Sequence, residues 1–221
     1  MKRSEINKIM CECVKFCAEM HFMLPPFAFF RPEDWEGKAG EYYEVRDNML
    51  GWDITDFGKG DFYKMGLLMF TIRNGNFTDK KYKKPYAEKL LIVEDAQITP
   101  YHFHHKKMED IINRGGGNLI VKVYNSAGDE SLADTPVRVS VDGRNYDVPA
   151  GTEIKLTPGE SISLPNGMYH SFWGERKVLV GEVSVINDDR VDNRFLEPVG
   201  RFPEIEEDEA PLYLLGNEYP F

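Results

Sequence analysis

From residue 62 onward the chain is cut into short apolar-rich runs by turn-forming residues, and that spacing limits the fold more than any other feature of the sequence. The runs are "FYKMGLLMFTIR", "YAEKLLIVEDAQIT", "NLIVKVYN", "VRVSVDG", "EIKLTP", "SISLP", "HSFWG" and "VLVGEVSVI". Asn74-Gly75, Gly115-Gly116-Gly117, Ala127-Gly128, Asp142-Gly143 and Pro158-Gly159 separate them, each a plausible reversal because Gly tolerates positive φ and Pro or Asn pre-form a turn. Closely spaced segments of this kind make a mainly β domain, a sandwich or a barrel. Asp142-Gly143, between "VRVSV" and "RNYDV", predicts a two-residue hairpin.

The first third reads differently. Ile6, Ile9, Met10, Cys13, Phe16, Cys17 and Met20 recur at threes and fours, which predicts an amphipathic helix over residues 5–20 with Ser4 as its cap. Pro25 and Pro26 stop it, and Pro32 opens a second short helix through Glu33, Asp34 and Trp35. The stretch "RDNMLGWDITDFGKGD" is expected to be extended and turning rather than regular. At the far end, "PEIEEDEAPLYLLGNEYPF" pairs an acidic run, expected on a solvated face, with an aromatic end expected to dock on the barrel or on a partner subunit. We therefore divide the chain into an N-terminal segment, 1–61, packing on a β-barrel, 62–200, with a tail, 201–221.

A formal net charge of -10 speaks against a nucleic-acid or anionic-membrane binder and leaves a small molecule as the expected partner. No apolar run approaches the ~20 residues that span a bilayer, and no signal peptide is evident, so a cytoplasmic protein is expected. Cys11, Cys13 and Cys17 crowd one predicted helix without a C-x-x-C pair and are expected as reduced thiols.

The chemistry concentrates in "HFHHKKMED", residues 102–110. On a strand, His102 and His104 point to one side and Phe103 to the other, while His105 falls outside the pair. After a short reversal the next strand can set Glu109 opposite them, and His170, beyond the Pro165-Asn166-Gly167 turn, supplies a fourth ligand. A lone H-x-H on a strand is usually a surface pair. The set His102, His104, Glu109 and His170 suits divalent manganese, iron, cobalt, nickel or zinc.

These residues resemble the cupin superfamily, whose motifs are G-x5-H-x-H-x(3,4)-E-x6-G and G-x5-P-x-G-x2-H-x3-N. His102, His104, Glu109 and Gly116 match the first; Gly159, Pro165, Gly167 and His170 match the second. Ala96 and Gly174 depart from it at turn positions. The resemblance implies a jelly-roll β-barrel with the N-terminal segment as an extension. Beyond those motifs, "LPPFAFF", "RDNMLGWDITDFG", "KPYAEKLLIVEDAQITPYHFHHKKMEDIINRGGGNL", "SLPNGMYHSFWGE" and "VGEVSVINDD" are similar to the D-lyxose ketol-isomerase family of cupin-type sugar isomerases, over about residues 1 to 200. What that implies is a homodimeric, Mn2+-dependent aldose-ketose isomerase acting on D-lyxose and D-xylulose, and on D-mannose and D-fructose. A cupin dioxygenase and a sugar-binding cupin without turnover are the competing classes, since the fold alone names no reaction.

Isomerisation moves a proton between neighbouring carbons while an enediolate is stabilised. Lys89 interrupts the apolar "YAEKLLIV", so it either snorkels to the rim or points inward; the resemblance favours a catalytic lysine that binds substrate. Glu182, inside "VLVGEVSVI", needs a partner or a function there, and we assign it the base role and a substrate contact, with Glu109 as competitor. Asp188, Asp189 and Asp192 with Arg194 form either a clamp for sugar hydroxyls or a solvated loop, and Asp192 is taken as the substrate-binding member. Phe172 and Trp173 are expected mainly in core packing.

Overall fold

The computed structural model describes residues 1–201 and 204–220. Helix α1 (Arg3–Glu19) is followed by 3-10 turns at Pro26–Phe29 and Pro32–Trp35 and by a short helix α2 (Ala39–Asp47). Twelve strands follow among the described residues: β1 (Gly51–Thr55), β2 (Leu67–Arg73), β3 (Tyr86–Val93), β4 (Thr99–His104), β5 (Glu109–Ser126), β6 (Leu132–Ala133), β7 (Val137–Val141), β8 (Arg144–Val148), β9 (Thr152–Leu156), β10 (Ser161–Leu164), β11 (Met168–Val185) and β12 (Asn193–Phe195). All named strand pairs are antiparallel.

The mainly β barrel expected from the spacing is present, built on two 18-residue strands, β5 and β11, that pair along most of their length. Their first and second halves belong to different walls. The second half of β11 pairs β3, extending through β2 to β1, while the first half of β5 pairs β10, extending to β7 and β8. The first half of β11 pairs β4, which carries β12, and the second half of β5 pairs β9. Both long strands bend at the same level. There the register slips between Glu175 and Val178, Gly116 takes φ +90°, and a Cβ on Gly116 or Gly117 would run into the carbonyls of Lys177 or Glu175. Gly115–Gly117 is therefore a corner within one strand rather than the turn that was expected, and "HSFWG" and "VLVGEVSVI" are two halves of one strand.

Alternation fills the interior. Val178 and Val180 of β11, Leu91 and Val93 of β3, Met69 of β2 and Leu119, Val121 and Val123 of β5 meet in one core. The opposite parity, Leu68, Phe70, Leu90, Ile92 and Leu179 with Trp52 and Ile54, faces out of the barrel and is covered by Ile6, Ile9, Met10 and Cys13 of α1. Asp142-Gly143 forms the expected hairpin, both residues at positive φ (47° and 79°) between Val141 and Arg144.

Three local expectations change. Ser4 is not the helix cap: α1 starts at Arg3, and the Ser4 amide and hydroxyl donate to Asp208 at 2.9 and 2.7 Å. The stretch read as irregular contains β1, because Trp52 and Ile54 bury against α1 once the backbone pairs with β2. The acidic tail is more than a solvated face. Arg3 is buried at 1% exposure and donates to Glu207 and Glu218, Asn7 donates to Glu209, and Leu215 and Tyr213 pack near Trp52.

Candidate metal centre

β4 lies between β11 and β12, and its inward residues decide the site. His102 stands in register with His170 of β11, and the reversal through Gly167 (φ 76°) is tied to β4 by the Gly167 amide donating to the His104 carbonyl at 3.0 Å. One ring nitrogen from each of His102, His104 and His170 lies within 4.8 Å of the others, all three residues buried. Glu109, first residue of β5, shares the inward parity of Ile111 and places Oε1 3.2 Å from His170 Nε2 and 3.4 Å from His104 Nε2. His105 is exposed.

Two of the rings are oriented from behind. His102 Nδ1 meets the Pro100 carbonyl at 2.9 Å and His170 Nδ1 the Met168 carbonyl at 3.1 Å, which leaves each Nε2 facing inward. The Nε2 atoms of His104 and His170 are buried without a hydrogen-bond partner among the described residues. Unpartnered ring nitrogens beside a carboxylate are costly in a dry core and fit a cation ligated by them. Burial, together with the neighbouring rings, pushes His102 well below the usual imidazole range. Burial and the Lys107 charge lower His104 as well, so both rings are neutral at pH 7, the form that ligates.

Behind this set runs a buried network of alternating charge. Lys107 Nζ lies 2.6 Å from Glu109 Oε2 and 2.8 Å from Glu182 Oε1, while Lys89 Nζ lies 3.3 Å from Glu182 Oε1 and 3.3 Å from Asp189 Oδ2. Lys89 and Glu182 are register partners on β3 and β11, each with the parity of its strand's core residues, so both point inward. Burial disfavours the Lys107 ammonium, but Glu109 and Glu182 outweigh it and raise its pKa. Burial likewise opposes the Glu109 carboxylate, and Lys107 with the histidine rings overcomes it, holding the carboxyl well below its ordinary value. Asp189 is held low against the same opposition, by Lys89, Lys107 and Arg201.

Lys107 was missed in the sequence because "KKM" reads as a solvated reversal. Its signal was parity: it stands two residues before Glu109, on the same side of the chain. The structure differs from expectation at Asp192 also. Its two carboxylate oxygens accept the amides of Lys106 (2.9 Å) and Lys107 (3.0 Å), so it shapes the β4–β5 loop instead of lining the cleft. Asp189 is the carboxylate of that segment which lines it. Asp188 pairs with Arg190, and Arg194 with Glu130, away from the cleft. Phe172 packs in the core and also walls the cleft. A larger cavity, about 210 Å3, lies beyond Asp189 against Trp52, Asp53, Asn74 and Asn187, but it holds none of the ring nitrogens or buried lysines, so the chemistry belongs to the smaller cleft.

Comparison with known proteins bears on this arrangement. The family model described as D-lyxose isomerase matches residues 1–219. The chain is 51% identical to a D-lyxose/D-mannose isomerase of Serratia proteamaculans, over 99% of this chain and 98% of that one. It is 50% identical to a D-lyxose/D-mannose isomerase of Escherichia coli O157:H7, with the same coverage. Among solved structures, a Cellulomonas parahominis L-ribose isomerase with L-psicose superposes with a TM-score of 0.60 at 16% identity, covering 93% of this chain and 98% of that chain, and so shares the fold.

Proposed function

Because the chain belongs to the D-lyxose isomerase family, we propose that its buried histidine cleft interconverts D-lyxose with D-xylulose, and D-mannose with D-fructose, by proton transfer through an enediol. The observation that carries this reading is the inward convergence of three imidazoles on the Glu109 carboxylate, directly beside the cross-strand pair Lys89–Glu182. His102, His104, His170 and Glu109 would hold the cation, which we assign as Mn2+ with cobalt, iron, nickel or zinc as alternates. When bound, it supplies Lewis-acid stabilisation of the negative charge that develops across the two reacting sugar oxygens.

The remaining steps fall to side chains. Glu109 is engaged by two rings and Lys107, which leaves Glu182 as the carboxylate that removes the proton from C2 of the open-chain aldose and returns it to C1. Lys107 and Lys89 flank Glu182 and fix it in place. Lys89 passes the hydroxyl proton from O2 to O1, so the aldehyde becomes a hydroxymethyl group and the neighbouring carbon a ketone. The apolar wall of Leu67, Met69, Leu91 and Phe172 limits the water that competes for these charges.

Family resemblance also implies a homodimer in the cytoplasm; no helix among the described residues is long and apolar enough to cross a membrane. Sedimentation of the purified protein measures the assembly. The test of the activity is ketose production from a panel of pentoses and hexoses by chelated protein reloaded one metal at a time, without oxygen. Ketose from D-lyxose and D-mannose, restored by Mn2+ under those conditions, is the expected result. Dependence on oxygen would assign a dioxygenase instead, and sugar binding without any ketose a non-catalytic protein.

A further inference from the structure

The charge network does not end at Asp189. Its Oδ2 lies 3.8 Å from Arg201 Nη2, and Arg201 is held from the other side by Asp53, Nη1 to Oδ1 at 3.2 Å and Nη2 to Oδ2 at 2.6 Å. Asp53 sits on β1 opposite Met69, which packs inward and walls the cleft, so the carboxylate is carried on the inner side of the sheet. The Arg201 side chain is 11% exposed and lines the cleft, while Asp53 lines the larger cavity beyond. Neither residue belongs to the strands that carry the histidines. Their pairing closes a sequence of alternating charges: Glu109, Lys107, Glu182, Lys89, Asp189, Arg201, Asp53.

A guanidinium gripped at both terminal nitrogens has a set direction, which a point charge on a flexible stem lacks. We propose that Asp53 and Arg201 are positioning residues of the isomerase site: Asp53 orients Arg201, Arg201 keeps Asp189 against Lys89, and the Lys89 ammonium is thereby aimed at the sugar oxygens. The inference rests on the reading of Lys89 and Glu182 as the pair that moves the protons. It makes the N-terminal strand and the segment after the barrel parts of the catalytic apparatus rather than packing alone. Asp53 stands behind Arg201 and outside the lining of the histidine cleft, so its loss is expected to change turnover rather than binding.

Asp53→Ala in the Mn2+-loaded full-length protein tests this against D-lyxose. We expect kcat to fall about 10- to 100-fold, KM to stay within about twofold, manganese per chain to match wild type, and Asp53→Glu to recover part of the loss. Wild-type kcat in Asp53→Ala, or a fall equal to the loss of folded or metal-loaded protein, overturns the proposal. If Asp53→Ala does not fold, Arg201→Lys is read the same way, because it keeps the charge and loses the fork. Wild-type protein that makes no ketose overturns the functional reading itself, an outcome separate from an active wild type with an unaffected variant.

Discussion

Lys107 touches two deeply buried carboxylates, and its worth lies in what its removal would leave behind. Glu109 and Glu182 are 2% and 5% exposed at their side chains, and Lys107→Met would strand both without their shared counter-ion. Breaking a buried pair from one side costs about 3–5 kcal/mol, which denaturant unfolding of the metal-free variant should show. Glu182→Gln separates chemistry from structure: it keeps the shape and can still accept from Lys107, but it cannot take a proton from carbon. Its kcat should fall by about 10²–10⁴-fold with metal content unchanged; a loss under tenfold would pass the base role to Glu109. His170→Ala should instead lose metal and activity together while circular dichroism stays that of the barrel, since the ring contributes a ligand rather than aliphatic packing.

At the scale of elements, the corner of β5 and β11 is what sets His170 and Glu182 in the same interior. His170–Phe172 pairs with β4 and Val178–Val185 with β3, so one strand carries His170 on one wall and Glu182 on the other. The bend depends on Gly116, whose φ of +90° and contact with the Lys177 carbonyl exclude a side chain. Gly116→Ala should cost at least about 2 kcal/mol, read as a fall in Tm, and should lower metal affinity because the two halves of β11 would re-aim. Ala96, at the motif position of a Gly, takes the left-handed φ of 57° that a non-Gly residue adopts only infrequently. Helix α1 and the tail form another coupled pair through Arg3. Glu207 is half exposed, and water screens it, so Arg3→Met should cost only about 2 kcal/mol.

For the whole molecule, the interior charges make folding depend on pH in a direction fixed by their shifts. His102 and His104 are lowered in the native state, so below about 6.5 the unfolded chain binds protons that the folded chain refuses, and stability falls. Glu109 and Asp189 are also lowered; their contribution is complete above about 4.5 and 3.8 and is lost as pH drops through the lowered native values. The metal-free protein should therefore lose Tm in two stages on acidification, beginning near pH 6.5. A Tm flat from pH 7 to 5 would show that the two rings are not held neutral. Manganese should oppose the first stage, since protons and metal compete for the same nitrogens.

The β spacing, the Asp142-Gly143 hairpin, the apolar stripe of α1 and the four residues His102, His104, Glu109 and His170 were legible because each rests on a local period or a fixed offset, and the chain cannot hide those. Lys107, Arg201 and Asp53 were not, and Asp189 was named only among the acids of its segment, with Asp192 preferred. They lie in loops, in a charge run, at the edge of the tail and in a Gly- and Asp-rich stretch read as irregular, where composition does not announce a buried charge. Their burial is decided by which distant carboxylate or cation the fold sets beside each one. The sequence determined the walls of the barrel and the histidines and carboxylate they carry, because period and offset act within one segment; only the tertiary structure decided which charges share the interior, because desolvation and pairing act between segments far apart in the chain.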